Sequence, residues 1–85
     1  MEKKTVIVQK RNGLEARPIA KLVQIASQCA SEVQIHKGNR WVNAKSLLGM
    51  MTLDIIAGEE IQIVTSGQDE QTAMENLCNY LQAEM

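Results

Sequence analysis

The chain reads as short segments whose apolar residues change period. Residues 4–9, KTVIVQ, are β-branched and compact and predict a strand. KRNG at 10–13 is a turn cluster. From Pro18 the apolar residues fall at Ile19, Leu22, Val23 and Ala26, the spacing of an amphipathic helix. Pro18 suits its first turn, where a missing N–H costs nothing. SEVQIH (31–36) alternates, with Val33 and Ile35 on one face and Glu32, Gln34 and His36 on the other. KGN (37–39) is a hairpin turn and RWVN (40–43) the return strand. SLLGMMTL (46–53) is a short apolar helix opened by Ser46. GEEIQIVTSG (58–67) alternates again and places Ile61, Ile63 and Thr65 together. DEQTAMENLCNYLQAEM (69–85) opens with acids that suit a helix N-terminus and carries a stripe of Ala73, Leu77 and Leu81.

The predicted order is βαββαβα. Four short strands in a chain of 85 residues cannot bury both faces of a sheet. The expected fold is therefore α+β, an open-faced two-layer sandwich: an antiparallel sheet with three helices on one face and the other face wet. Val33, Ile35, Ile61 and Ile63 are expected to point at the helices. No repeat, linker or low-complexity stretch divides the sequence, so residues 1–85 are expected to form one domain.

Charge and composition remove several function classes. Nine basic and ten acidic residues give a formal net charge of −1, without the basic footprint of direct nucleic-acid binding. Trp41 and Tyr80 are the only aromatic residues besides His36, too few for a base-stacking platform. No apolar run approaches the ~20 residues of a membrane span. MEKKTVIVQK returns to polar residues too soon for a signal peptide. Cys29 and Cys78 lack CxxC spacing and read as small buried hydrophobes in a reducing cytoplasm. No cofactor and no metal is expected.

Two stretches carry candidate chemistry: GLEARP at 13–18 and NAKSLLGMM at 43–51. With the βαββαβα order, these resemble the HPr family, the histidine-containing phosphocarriers of the bacterial sugar phosphotransferase system. The resemblance spans essentially the whole chain, with both motifs at the family's spacing. In that family the first motif is usually G-[IL]-H-A-R-P, and its histidine accepts a phosphoryl group from phosphoenolpyruvate through enzyme I. Here that position is Glu15. The second motif is intact, and its serine, matching Ser46, is phosphorylated in Gram-positive members by the HPr kinase/phosphorylase. A lost histidine beside a kept serine is similar to the regulatory HPr-like branch of bacilli, although Gln usually stands there where this chain has Glu15.

A phosphocarrier needs a neutral, compact nucleophile that can release its phosphoryl group again. Imidazole, with a pKa near ~6.5, qualifies. An unperturbed glutamate, with pKa ~4.3, is ionised near neutral pH and repels a phosphoryl donor. Carboxylates do form acyl phosphates, but such sites generally recruit Mg²⁺ through further oxygen ligands, and no acidic cluster adjoins Glu15 in sequence. Other roles for Glu15 are a favourable charge at a helix N-terminus, a pair with Arg17, a fixed imitation of a phosphorylated site, or a block to enzyme I. His36, on the polar face of its strand, is expected to face solvent.

Serine before a short helix is an ordinary N-cap, worth ~1 kcal/mol. Phosphorylation would use the same geometry, adding about −1.5 to −2 charges where the helix dipole is positive. Ser46 has no His or Asp partner in a plausible triad and is not expected to act as a catalytic nucleophile. One and a half helical turns cannot bury Leu47, Leu48, Met50, Met51 and Leu53 together. Met50 and Leu53 are expected in the core, leaving Leu47, Leu48 and Met51 as an exposed patch; the alternative is that all five are core. By resemblance, Arg17, Lys45, Leu47, Leu48 and Met51 supply a partner surface, and the partners are the HPr kinase/phosphorylase and a LacI-type catabolite regulator of the CcpA kind. The expectation is a non-enzymatic regulatory protein, monomeric or a weak homodimer. The alternatives are a phosphocarrier using Glu15 or another acceptor, and an unmodified binding protein that mimics HPr.

Overall fold

The structure is a computed structural model and describes residues 1–9 and 16–83, with only the backbone of Ala16 and Arg17. Strand β1 (Glu2–Ile7) leads to helix α1 (Ala16–Ser27). Strands β2 (Glu32–Lys37) and β3 (Arg40–Asn43) precede the short helix α2 (Leu47–Met51). Strand β4 (Glu60–Ser66) and helix α3 (Glu70–Gln82) complete the order. The four strands form one sheet in the order β1-β4-β2-β3, with every neighbouring pair antiparallel. The architecture expected from the hydrophobic pattern is the one observed.

Burial follows the period-2 alternation. Val33, Ile35, Ile61, Ile63 and Thr65 are buried on the helix side, with Ile35 opposite Ile63 and Val6 opposite Ile61. Helix α1 contributes Ile19, Leu22 and Ala26 to this core, and α3 contributes Ala73, Met74, Leu77, Cys78 and Leu81. The β2–β3 hairpin pairs Lys37 with Arg40 across a two-residue loop. Gly38 opens that loop at φ +62°, the left-handed conformation that a type II′ turn needs at its first central position.

Some boundaries differ from those the sequence predicts. Strand β1 runs over Glu2–Ile7 rather than 4–9, because the ladder with β4 pairs Glu2 with Thr65 and ends where Ile7 meets Glu60. On an edge strand, charged residues pair as readily as apolar ones, so Glu2 and Lys3 join despite their polarity. Val8 lies past the strand but is buried; its N–H donates to the Glu59 carbonyl at 2.9 Å. Helix α1 begins at Ala16, ahead of Pro18, and α2 stops at Met51, short of 53.

Polar side chains fasten the connections. Asp69, just before α3, accepts the N–H groups of Ala30 and Ser31, each at 2.9 Å, and the Ser31 hydroxyl. These hydrogen bonds, led by the Ser31 hydroxyl, hold the Asp69 carboxyl below its usual pKa. Gly67 closes on the same point: a Cβ there would lie 2.7 Å from Ser31 Cα, and its φ is +153°. Lys37 fastens the loop between α2 and β4. Its ammonium donates to the carbonyls of Leu53 (3.0 Å) and Asp54 (2.7 Å) and pairs with Glu59 at 3.0 Å.

Two outcomes test these fastenings. A carboxyl whose folded pKa is depressed gives its full stabilisation above the unfolded value, ~3.9 for Asp, and loses it as pH falls through the folded value. Asp69→Asn should therefore lower Tm near neutrality, and the difference from the parent chain should shrink as thermal scans move below pH ~4. Gly67→Ala should destabilise the domain by roughly 1–3 kcal/mol in urea titration, because the new methyl meets backbone rather than a flexible side chain.

Candidate functional site

The site is the corner where β3 turns into α2. Ala44 is fully buried and its N–H donates to the Val33 carbonyl at 2.9 Å, which ties the corner to β2. Asn43 organises the turn. Its Oδ1 accepts the Lys45 N–H at 2.9 Å, and its carbonyl accepts the Ser46 N–H at 3.0 Å. Such local side-chain-to-backbone bonds let Asn redirect a strand end into a turn.

Ser46 is the N-cap of α2. Its backbone is extended (φ −103°, ψ 112°), and its carbonyl accepts the first helical hydrogen bond, from Met50 N–H at 2.9 Å. Its Oγ accepts the Gly49 N–H at 3.1 Å. The residue is exposed. One hydroxyl lone pair is used by the cap; the other lone pair and the proton remain for a partner. No carboxylate or imidazole bonds this hydroxyl in the described residues, so the side chain is presented without a base of its own.

Helix α2 divides its apolar residues as its geometry requires. Met50 is 0% exposed and Leu53 1%, whereas Leu47 is 44%, Leu48 79% and Met51 49% exposed. The two expected core residues and the three expected surface residues fall on the predicted sides. The outward three follow Ser46 in sequence and form the exposed apolar part of the helix that it caps.

Lys45 differs from a free surface cation. Its Nζ donates to the Cys29 carbonyl at 2.8 Å, just past the end of α1. The ammonium thereby sits where α1 leaves unsatisfied carbonyls and where a positive charge is favoured. Sequence reading placed Lys45 beside Ser46 but did not see this contact, which joins residues 16 positions apart. Glu15 and the side chain of Arg17, the other expected members of the surface, lie outside the described residues.

His36 points away from the helices, on the open face of the sheet, and is half-buried there. Its Nε2 lies 3.0 Å from Gln34 Oε1, and its ring stacks on Trp41 at 6.2 Å between centroids and 23° between planes. The stack follows from the register, which sets His36 opposite Trp41 across β2 and β3. Cys29 and Cys78 are both buried free thiols, and burial is the main cause raising each thiol pKa. Among the described residues, no group of three or more His, Cys, Asp or Glu is placed to hold a metal, and no helix is long and apolar enough to cross a membrane.

An open-faced sandwich with an exposed serine capping a short apolar helix defines an HPr-type protein. The chain belongs to the PTS-HPr family, described as the PTS HPr component phosphorylation site, which it matches over residues 2–83. It is 45% identical, over 99% of its length and the whole of the relative, to the HPr-like protein Crh of Halalkalibacterium halodurans. Its fold superposes on the phosphocarrier HPr of Bacillus anthracis with a TM-score of 0.93, at 43% identity and covering 95% of this chain and 96% of that one. It is also similar to the crystal structure of Bacillus subtilis Crh, the catabolite repression protein solved as a swapped, intertwined dimer. That match has a TM-score of 0.79 and 41% identity, over 100% of this chain and 98% of the other. The relatives are thus both HPr phosphocarriers and the regulatory Crh type.

The division of α2 has a measurable consequence. Met50→Ala should cost about 2–5 kcal/mol, because it empties a fully enclosed place in the core. Leu48→Ala and Met51→Ala should each change stability by no more than about 0.5 kcal/mol. Urea denaturation of the three variants checks the contrast.

Proposed function

We propose that this chain is a cytoplasmic regulatory protein of carbon catabolite control, phosphorylated on Ser46 and then bound by a transcriptional regulator. The observation that carries the reading is the Ser46 hydroxyl: exposed, held as the α2 cap at 3.1 Å from Gly49 N, and bordered by the exposed Leu47, Leu48 and Met51. A serine without its own base suits an acceptor modified in trans. The HPr kinase/phosphorylase supplies the base, ATP donates the phosphoryl group and leaves as ADP, and the apolar border supplies affinity to the next partner. The phosphate then gives selectivity by meeting Arg or Lys of a LacI-type, CcpA-like regulator. Likeness to the Crh proteins supports this assignment over that of a phosphocarrier.

Glu15 is the reason for excluding phosphocarrier activity from the proposal. An ionised carboxylate at the position of the family's histidine repels the phosphoryl donor and lacks the imidazole's reversible chemistry. The protein acts as a single HPr-like domain over residues 1–85, without catalysis of its own. Arg17 and Lys45 complete the partner surface. Lys45 also holds the α1 end against the Ser46 corner, through one of the three donors of its ammonium. In solution the chain is a monomer in exchange with a weak homodimer, as the dimeric Crh structure suggests.

Incubation with ATP and an HPr kinase/phosphorylase should add one phosphoryl group, located at Ser46 by mass spectrometry of peptides. Ser46→Ala should abolish the label and lower stability by about 1 kcal/mol through loss of the cap. The phosphorylated chain should bind the regulator more tightly than the unmodified one, and Leu47→Ala or Met51→Ala should weaken that complex. Labelling at Ser27, Ser31 or Ser66 instead would defeat the proposal. With phosphoenolpyruvate and enzyme I no phosphoryl transfer is expected; a hydroxylamine-sensitive label lost in Glu15→Gln would restore the carrier reading.

A further inference from the structure

We propose that a notch at the edge of the sheet, beside Trp41, binds a neutral saccharide. Strand pairing makes the notch. β3 is an outermost strand, and its last pair with β2 joins Asn43 to Gln34. β2 begins earlier, at Glu32, so Glu32 and Val33 have no partner in the β2–β3 ladder. The space left there, about 350 Å³, is lined by Glu32, Val33, Gln34, Trp41, Asn43 and Lys45. That volume lies within the ~300–1,000 Å³ typical of small-molecule sites.

Trp41 is the only tryptophan of the chain and is 57% exposed. Val33, the other apolar residue of the notch, is buried and belongs to the core. His36 stacks on one face of the indole and holds the ring in place. The exposed part is therefore the other face and the N–H edge. Among the described residues the indole N–H has no acceptor. A ring presented in this way suits a ligand that is apolar on one side and polar at its rim.

The polar groups of the notch narrow the class. Among the described residues, the exposed Glu32 carboxylate has no ion pair or hydrogen bond and can only accept. Asn43 spends its Oδ1 on the Lys45 N–H, and Gln34 Oε1 lies against His36, so each keeps an amide NH₂ to donate. The Lys45 ammonium gives one of its three donors to the Cys29 carbonyl. An anion would meet Glu32 and a cation would meet Lys45, whereas a neutral ligand meets no like charge. A pyranose ring fits this set. Its C–H face packs on the indole, and its hydroxyls both donate and accept. They donate to Glu32 and accept from the amides and the ammonium, with no existing hydrogen bond displaced. This inference does not depend on the role of Ser46.

Titration of the intact chain with D-glucose tests it, because Trp41 emission reports on the notch alone. A saturable change in emission is expected, with backbone amide shifts in NMR spectra confined to residues 32–34 and 41–45. Sorbitol carries similar hydroxyls without a ring face and should give no saturable change. Trp41→Ala, followed by the amide shifts of Gln34 and Lys45, should lose binding. Glu32→Ala should weaken it roughly tenfold through the lost charged acceptor. Lys3→Ala, at the far edge of the sheet, should leave it unchanged. Absence of a saturable response overturns the proposal. So does an equal response to sorbitol, or binding that survives Trp41→Ala. Saturation by free arginine or inorganic phosphate with none by glucose assigns the notch to a charged group and overturns it as well.

Discussion

A helix of five residues does not hold itself together in water. Nucleation fixes several dihedral pairs for the first hydrogen bond, and isolated helices much shorter than ~12–15 residues are marginal at best. Helix α2, with five, exists because both its ends and one of its faces are fixed from outside. The Asn43 side chain and the buried Ala44 set the chain's direction at entry, and Ser46 caps the first turn. Thr52 ties the last turn through both its N–H and its hydroxyl, and Met50 anchors the inner face. The exposed serine and the apolar residues beside it are presented in one geometry for that reason. Without the corner they would belong to a flexible loop.

The remaining connections follow a similar logic. A small domain has limited apolar surface to bury, and here loops are secured by single polar side chains that each satisfy several backbone groups. Asp69 gathers two N–H groups and a hydroxyl ahead of β2. Lys37 gathers two carbonyls and a carboxylate between α2 and β4. Lys45 reaches across to the end of α1. These contacts leave the core itself apolar, with Ser31 and Thr65 its buried polar members among the described residues.

The two layers divide the labour of the surface. The helix side supplies the core and, through α2, the proposed modification site. The open face of the sheet carries the His36–Trp41 stack and a polar surround, directed away from the helices. With the chain's charge near balance, the exposed Leu47, Leu48 and Met51 of α2 offer a partner apolar rather than electrostatic contact.

The sequence by itself determined the order of elements and the facing of most residues. Alternation in β2 and β4 fixed which side chains meet the helices, because a slip by one residue would expose every one of them. Helical spacing set the inner stripe of α1 and α3. The excess of apolar residues in α2 was legible too, since a short helix has too little hidden surface for five of them. Ser46 was readable as a cap from its position alone. Tertiary structure decided what depends on residues distant in sequence. Lys45 was expected only as part of a partner surface until the end of α1 was placed beside it, and Asp69 looked like a helix-opening acid until Ala30 and Ser31 were set against it. His36 looked solvated until the strand register brought Trp41 across from it. At Gly49, only the fold shows that a Cβ would lie 3.1 Å from the Ser46 hydroxyl and 3.5 Å from Val42 Cβ. Local periodicity encodes a residue's facing, but the identity of its neighbour depends on how the whole chain closes.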